Sequence, residues 1–304
     1  MNLFEKQIHD FTEYLKLRKQ SLQTIEAYTY HVGIFCSWCI KKKIFDLREV
    51  TEEIVKEYQK SLYIKKYSLH THHIKLKSVK RFFEFLESTQ NLLYNPCERI
   101  LFPALGKRLP ENILTFREME KLLNTPNTGT PLGIRDKTIL ELLYSTGIRR
   151  SECCNLTTHD VDFTGGYLRV NLGKGSKDRV LPVGKKACQY VKEYIMKVRP
   201  LYTKKNPDER TLFIAYCGTP LSSQSLMILV RKYGRYAKIK KPVTVHAIRR
   251  AFATHMLKNG AHPLYIQRLL GHEKSETIRK YIRVTAVDIK KTHKKTHPRE
   301  KDRK

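Results

Sequence analysis

The chain has 304 residues, with 59 Lys and Arg against 29 Asp and Glu, a formal charge of +30 at pH 7. A length of this order suits about two domains with a sizeable core, and the charge excess asks for a polyanionic partner, because neutralising phosphates releases counterions. No stretch approaches the ~18 uninterrupted apolar residues of a membrane span and no lipidation signal is present, which sets membranes aside and favours nucleic acid.

The opening segment MNLFEKQIHDF is amphipathic but carries acids and has no apolar signal core, so it does not read as a secretory leader. From there the spacing of apolar residues predicts helices over 2–19, 21–42, 51–65 and 68–88, with Ser21 and Thr51 as N-caps. Four helices in this span make a small all-α domain, residues 1–88. The stretch 89–110 holds Asn95-Pro96, Pro103 and Leu109-Pro110 and reads as a linker.

Beyond it, TFREMEKLLN and GIRDKTILELLYSTG are helical in pattern. The character then changes: Gly165-Gly166 makes a turn, and YLRVNL and RVLPV are short β-rich runs around GKGSKD, a hairpin turn with a basic tip. Helical patterns resume over 185–199, 222–238, 245–259 and 263–270. The fold class is therefore mainly α with a small antiparallel β-sheet. A second domain spans 111–285 and a basic tail 286–304. The charge is uneven: residues 89–284 carry a net +20, against +5 for residues 1–88.

Several motif lookalikes fail on inspection. NLGKGS lacks the glycine spacing and the Ser or Thr of a phosphate loop, and HEKSE lacks the second histidine of a zinc protease. Seven cysteines, an odd number, read as reduced and cytoplasmic. Cys36-Ser-Trp-Cys39 has no second CxxC to complete a metal site and reads as core, as do Cys153 and Cys154. No metal and no cofactor is expected.

What remains is a set of cationic and hydrogen-bonding groups: Arg149 in STGIRRSE, Lys174 in LGKGSKDR, His246 and Arg249 in HAIRRAFATH, His272 in LLGHEKS and Tyr281 in RKYIRV. His246 and Arg249 are three apart and share one side of a helix, with His255 roughly opposite. One face could then meet a phosphate while Ala247, Ile248, Ala251, Phe252 and Met256 bury the other. Arginine suits that task because its planar fork donates two parallel hydrogen bonds to paired oxygens.

These motifs, in this order and with a Tyr nine residues after the His of LLGH, resemble the tyrosine recombinase (phage integrase) family, and Xer-type site-specific recombinases most closely. The similarity covers residues from about 115 to 285, and the helical region before it is similar in architecture to the family's core-binding, SAM-like domain. The resemblance implies a two-domain clamp on double-stranded DNA that cuts and rejoins it at short core sites through a 3′-phosphotyrosyl link and a Holliday junction. Tyr281 would be the nucleophile, Arg149 and Arg249 would clamp the non-bridging oxygens, and Lys174 would protonate the leaving 5′-oxygen. His246 would assist proton transfer at the tyrosine, and His272 would hydrogen-bond the phosphate. It also implies a homotetramer on two sites, or assembly with a paralogous recombinase, and a cytoplasmic, nucleoid-associated enzyme without the arm-binding domain of larger phage integrases. The biological role would be chromosome or plasmid resolution, or integration and excision of a mobile element.

Each residue has a plainer reading. Arg149 could pair with Glu152, and Lys174 could be a solvated loop lysine with Lys177 as its competitor. His246 and His272 could be core or cap histidines, and Tyr281 is one of 17 tyrosines. Arg250 stands where many family members have His, and so does Arg283. A relaxing enzyme of the type IB class and a non-catalytic DNA-binding protein of the same fold are the alternative functions.

Overall fold

The computed structural model describes residues 3–104, 113–171, 178–204 and 206–271. The chain divides into two compact units, Met1–Lys107 and Arg108–Lys304.

In the first unit four helices carry the core: α1 (Leu3–Leu17), α2 (Leu22–Lys41), α3 (Glu52–Ile64) and α4 (Leu69–Ser88). Two of them begin on the same short phrase, Ser-Leu-x-Thr. Ser21 accepts from the backbone N–H of Thr24 at 3.2 Å, and Ser68 from that of Thr71 at 3.2 Å. Each cap satisfies one of the amides that a helix start leaves without an internal partner. Thr51 precedes α3 in extended geometry but makes no side-chain cap bond. The core is aromatic: Phe11 meets Phe82 edge-on at 5.2 Å, and Phe35 meets Tyr58 at 5.0 Å. Each such ring removed from water contributes about 1.5–3 kcal/mol. Within the proline-bearing stretch, Cys97 and Ile100 are buried in this same core, and Gln59 Nε2 donates to the Leu101 carbonyl at 3.0 Å.

The second unit contains α5 (Phe116–Asn124), α6 (Pro131–Thr146), α7 (Arg150–Asn155), α8 (Lys185–Glu193), α9 (Arg199–Thr203), α10 (Ser223–Tyr236), α11 (Val245–Lys258) and α12 (Pro263–Leu270). A three-stranded antiparallel meander, β1 (Val161–Asp162), β2 (Tyr167–Val170) and β3 (Arg179–Pro182), interrupts them in the order β1-β2-β3. Val170 pairs with Arg179 at the end of the β2–β3 hairpin where the two strands are joined, and Leu168, Val170 and Leu181 face the core.

Helix α6 is the central element, with Ile139, Leu140 and Leu142 fully buried. It is buried on its polar side too. Arg135 pairs with Asp136 at 2.7 Å and donates to the Ile214 carbonyl at 3.1 Å, while Tyr233 Oη donates to Asp136 at 2.9 Å. A buried charge survives only when paired and hydrogen-bonded, and this cluster meets that condition. The expected helix over 185–199 continues to Thr203, through one π-helical turn at Tyr194–Val198. Pro200 supplies the reason: it has no N–H to donate back along an α-helical ladder, so the register widens just before it.

Candidate phosphate-binding site

The site is built where α6 ends. Gly147 closes that helix in the left-handed region, φ +62°, and a Cβ there would sit 2.5 Å from Phe252 Cδ1. Both the backbone conformation and the close approach of α11 therefore call for glycine. The turn leads to Arg149, which stands at the start of α7.

Glu152, one turn into α7, is the acidic centre of the site. Its carboxylate accepts from the Arg149 backbone N–H at 2.6 Å and from Arg149 Nη1 at 2.7 Å. Arg179, arriving on β3, donates Nη1 and Nη2 to the two oxygens of Glu152 at 3.0 and 2.8 Å. Burial would raise the Glu152 carboxyl, but the bonds from Arg179 and Arg149 outweigh it and hold the pKa at about 2. Glu152 is thus a fixed anion at neutral pH. The ion pair between Arg149 and Glu152 that the sequence allowed is formed, yet Arg149 keeps 39% of its side chain exposed against 4% for Glu152.

The C-terminal end of α12 completes the arrangement. Its last carbonyls have no acceptor role inside the helix and carry the negative end of its dipole. Three successive ones are each taken by an arginine. Arg179 Nε donates to the Leu269 carbonyl at 3.0 Å, Arg249 Nη2 to Leu270 at 2.6 Å, and Arg149 Nη2 to Gly271 at 3.0 Å. Arg249 also donates Nη1 to the Gly147 carbonyl at 2.7 Å. Gly271 adopts φ +60°, and a Cβ there would meet Arg179 Nη1 at 3.2 Å.

The structure therefore brings Arg149 and Arg249 onto neighbouring carbonyls of one turn. His246 lies three residues before Arg249 in the first turn of α11 and is exposed. Partial desolvation, then the charges of Arg250 and Arg249, lower its pKa from 6.5 and so favour the neutral imidazole. Lys174, Lys177, His272, Tyr281 and Arg283 lie outside the described residues. In sequence, Lys174 and Lys177 fall between β2 and β3, and His272 follows Gly271 directly.

Two expectations for the α11 segment take a different form. Arg249 is not on an open face but only 3% exposed, satisfied by carbonyls instead of solvent. His255, on the other side of the helix, is a packing residue: it bonds Tyr144 Oη at 2.8 Å and stacks on Phe116 with centroids 3.8 Å apart. Sequence reasoning named neither Arg179 nor Glu152 as a site residue. The i,i+3 spacing of Glu152 from Arg149 was the available signal for one, and nothing local pointed to Arg179. The cysteines at 36 and 39 are buried core residues whose thiols desolvation pushes up to about 12.

Both units of the chain match known proteins. Residues 112–287 match the phage integrase family, and residues 8–90 match the N-terminal SAM-like domain of phage integrases. The chain is 36% identical over 292 residues to the tyrosine recombinase XerC 2 of Ralstonia nicotianae, covering 94% of this chain and 84% of that one. It is 34% identical to the tyrosine recombinase XerC of Oceanobacillus iheyensis, covering 98% of both chains. Among solved structures, XerH site-specific recombinase bound to its palindromic difH substrate superimposes with a TM-score of 0.75 at 21% identity, over 93% of this chain and 82% of that one.

Proposed function

This chain belongs to the phage integrase family and is a DNA strand-transferring tyrosine recombinase, and on that premise we propose the role of each site residue. Tyr281 attacks the scissile phosphate, forming a 3′-phosphotyrosyl link and releasing a 5′-hydroxyl. Arg149 and Arg249 bind its non-bridging oxygens, Lys174 gives the proton to the leaving 5′-oxygen, His246 takes the tyrosine proton, and His272 bonds the phosphate. The reverse attack by a 5′-hydroxyl reseals the strand without an external energy source, since the phosphotyrosyl bond conserves that of the phosphodiester. Four copies on two short duplex sites, or two copies with two of a paralogue, would exchange strands through a Holliday junction. The reading places the enzyme in the cytoplasm with the nucleoid.

One observation carries it: two guanidinium groups held by adjacent carbonyls of a single turn, with 2.6 and 3.0 Å bonds, beside a histidine kept neutral. Pre-aligned donors need no reorganisation as charge develops on a phosphoryl group, which is the largest lever available for stabilising such a transition state. The test is covalent trapping on a nicked duplex whose cleavage product diffuses away. The native chain should accumulate a protein–DNA adduct, and Tyr281→Phe should bind the duplex equally well and form none. An adduct that persists in Tyr281→Phe moves the nucleophile elsewhere.

A further inference from the structure

The helical domain holds a cavity of about 410 Å³ between the middle of α2, the end of α3 and the start of α4, lined by Tyr30, Trp38, Lys41, Lys65, Tyr67 and Lys75 among others. Lys75 is only 4% exposed, and its ammonium lies 5.0 Å from the centroid of the Tyr67 ring. Among the described residues no carboxylate or carbonyl pairs with it. Its charged neighbours make the situation worse, since Lys65 repels it and it in turn repels His31, whose buried Nδ1 has no hydrogen-bond partner. Tyr58, in the same wall, carries a buried hydroxyl that is also unpartnered. The Lys75 side chain is enclosed along its length, and its ammonium opens onto the cavity facing a ring and other cations, an arrangement that an anion would complete.

We propose that this cavity is a binding site for a nucleoside phosphate, with the phosphate on Lys75 and the base against the aromatic wall. Lys41 and Lys65 stand exposed at its rim to bring in and hold further negative charge. Tyr30 and Tyr67 are well exposed, 67% and 42%, as rings that offer a face for stacking would be. Base–aromatic stacking tolerates any base, so the site selects the phosphate and the ring, not the sequence. Gly33 leaves its stretch of wall open, as a Cβ there would touch nothing within 4 Å. The volume falls within the roughly 300–1,000 Å³ of small-molecule sites. The ligand could come free, as a mononucleotide, or as a nucleotide displaced from a DNA strand. The proposal is independent of the strand-exchange chemistry and stands or falls without it.

Trp38 is the single tryptophan of the chain and lines the cavity, so its emission reports occupancy. The full-length protein is titrated with AMP, with adenosine, and with a short single-stranded oligonucleotide carrying a 5′-phosphate. AMP should change the emission saturably, and adenosine should bind at least tenfold more weakly. Lys75→Met should weaken AMP at least tenfold, and Lys65→Ala, a change at an exposed position that leaves the fold intact, several-fold. Lys6→Met, on α1 and outside the cavity, should change nothing. If the oligonucleotide alone gives a Lys75-dependent signal, the nucleotide is supplied by DNA; if AMP does as well, the free nucleotide is the ligand. A response unaltered by both Lys75→Met and Lys65→Ala, or no saturable response to either probe, overturns the site.

Discussion

Arg149 and Arg249 take neighbouring carbonyls of the same turn, Gly271 at 3.0 Å and Leu270 at 2.6 Å, although they lie on different helical elements 100 residues apart in sequence. The turn therefore sets the spacing of the two guanidinium groups, and the groups in turn hold Leu270 and Gly271 in place. Arg179 and Glu152 stand behind this pair and hold Arg149 from the other side.

Breaking that support should cost both stability and rate. Glu152→Ala leaves the Arg179 guanidinium, only 10% exposed, without its anion; removing one partner of a buried pair costs about 3–5 kcal/mol. Arg179→Lys keeps the charge but loses the fork and the bond to Leu269, so cleavage should fall on the order of 10²-fold through misplacement of Arg149. Single-turnover cleavage at saturating duplex, read beside DNA affinity, checks this: the rate should drop while affinity holds. Equal losses in both would make Arg179 a fold residue only.

Glu152 also sets an acid limit to stability. Its folded pKa of about 2 lies below the ordinary 4.5, so the unfolded chain binds the proton first as pH falls. Its contribution is complete above 4.5 and is lost progressively between there and 2. Thermal melts from pH 6 to 3 should show the native midpoint falling more steeply below pH 4.5 than that of Glu152→Gln.

In the proposed role His246 accepts the tyrosine proton and must be neutral to do so; partial desolvation, then Arg250 and Arg249, lowers its pKa from 6.5. Activity should then fall on the acid side only as pH drops through that depressed value. Arg250→Gln removes one of the charges that depress it, so the acid limb of the single-turnover rate should move to higher pH. A limb that stays in place in Arg250→Gln, or survives in His246→Ala, assigns it to another group.

Gly147→Ala places a methyl 2.5 Å from Phe252 Cδ1 at φ +62°. The left-handed conformation costs roughly 1–2 kcal/mol and overpacking about 1–3. Denaturant unfolding should show a loss of that combined order, and Phe252→Leu in the same chain should restore only the steric part. Cleavage should decline as well, because the Gly147 carbonyl is an acceptor for Arg249.

The proton donor is tested at the leaving oxygen. Lys174→Ala should slow cleavage on the order of 10²–10⁴-fold, and a bridging 5′-sulfur, which departs without protonation, should restore it almost to the native rate. Arg149→Ala should stay slow on the sulfur substrate. Rescue of Lys177→Ala in place of Lys174→Ala would transfer the role to Lys177.

The helices of both units were legible because their apolar residues recur at helical spacing and their starts carry Ser or Thr caps. The hairpin was legible because β-branched and aromatic residues flank a Gly-rich turn. α7 was not: six residues, Arg150–Asn155, are too few to show a period. The motif singled out Arg249 but not its burial, since arginine is rarely enclosed and its carbonyl partners lie 102 and 21 residues away. Arg179 reads locally as a strand residue beside a basic turn. Only the arrival of Glu152, 27 residues upstream, gives it another role.

The turn that gathers the arginines lies downstream in sequence of every side chain it receives. Its carbonyls at 269–271 receive side chains from 90, 21 and 122 residues upstream. A growing chain that has not yet released α12 already contains every one of those arginines, but nothing to aim them. Contacts of such long sequence separation form late, so a partly made or partly unfolded copy lacks the bonds that align these arginines. For an enzyme that cuts and transfers DNA strands, the arginines gain their aim only when this one turn folds.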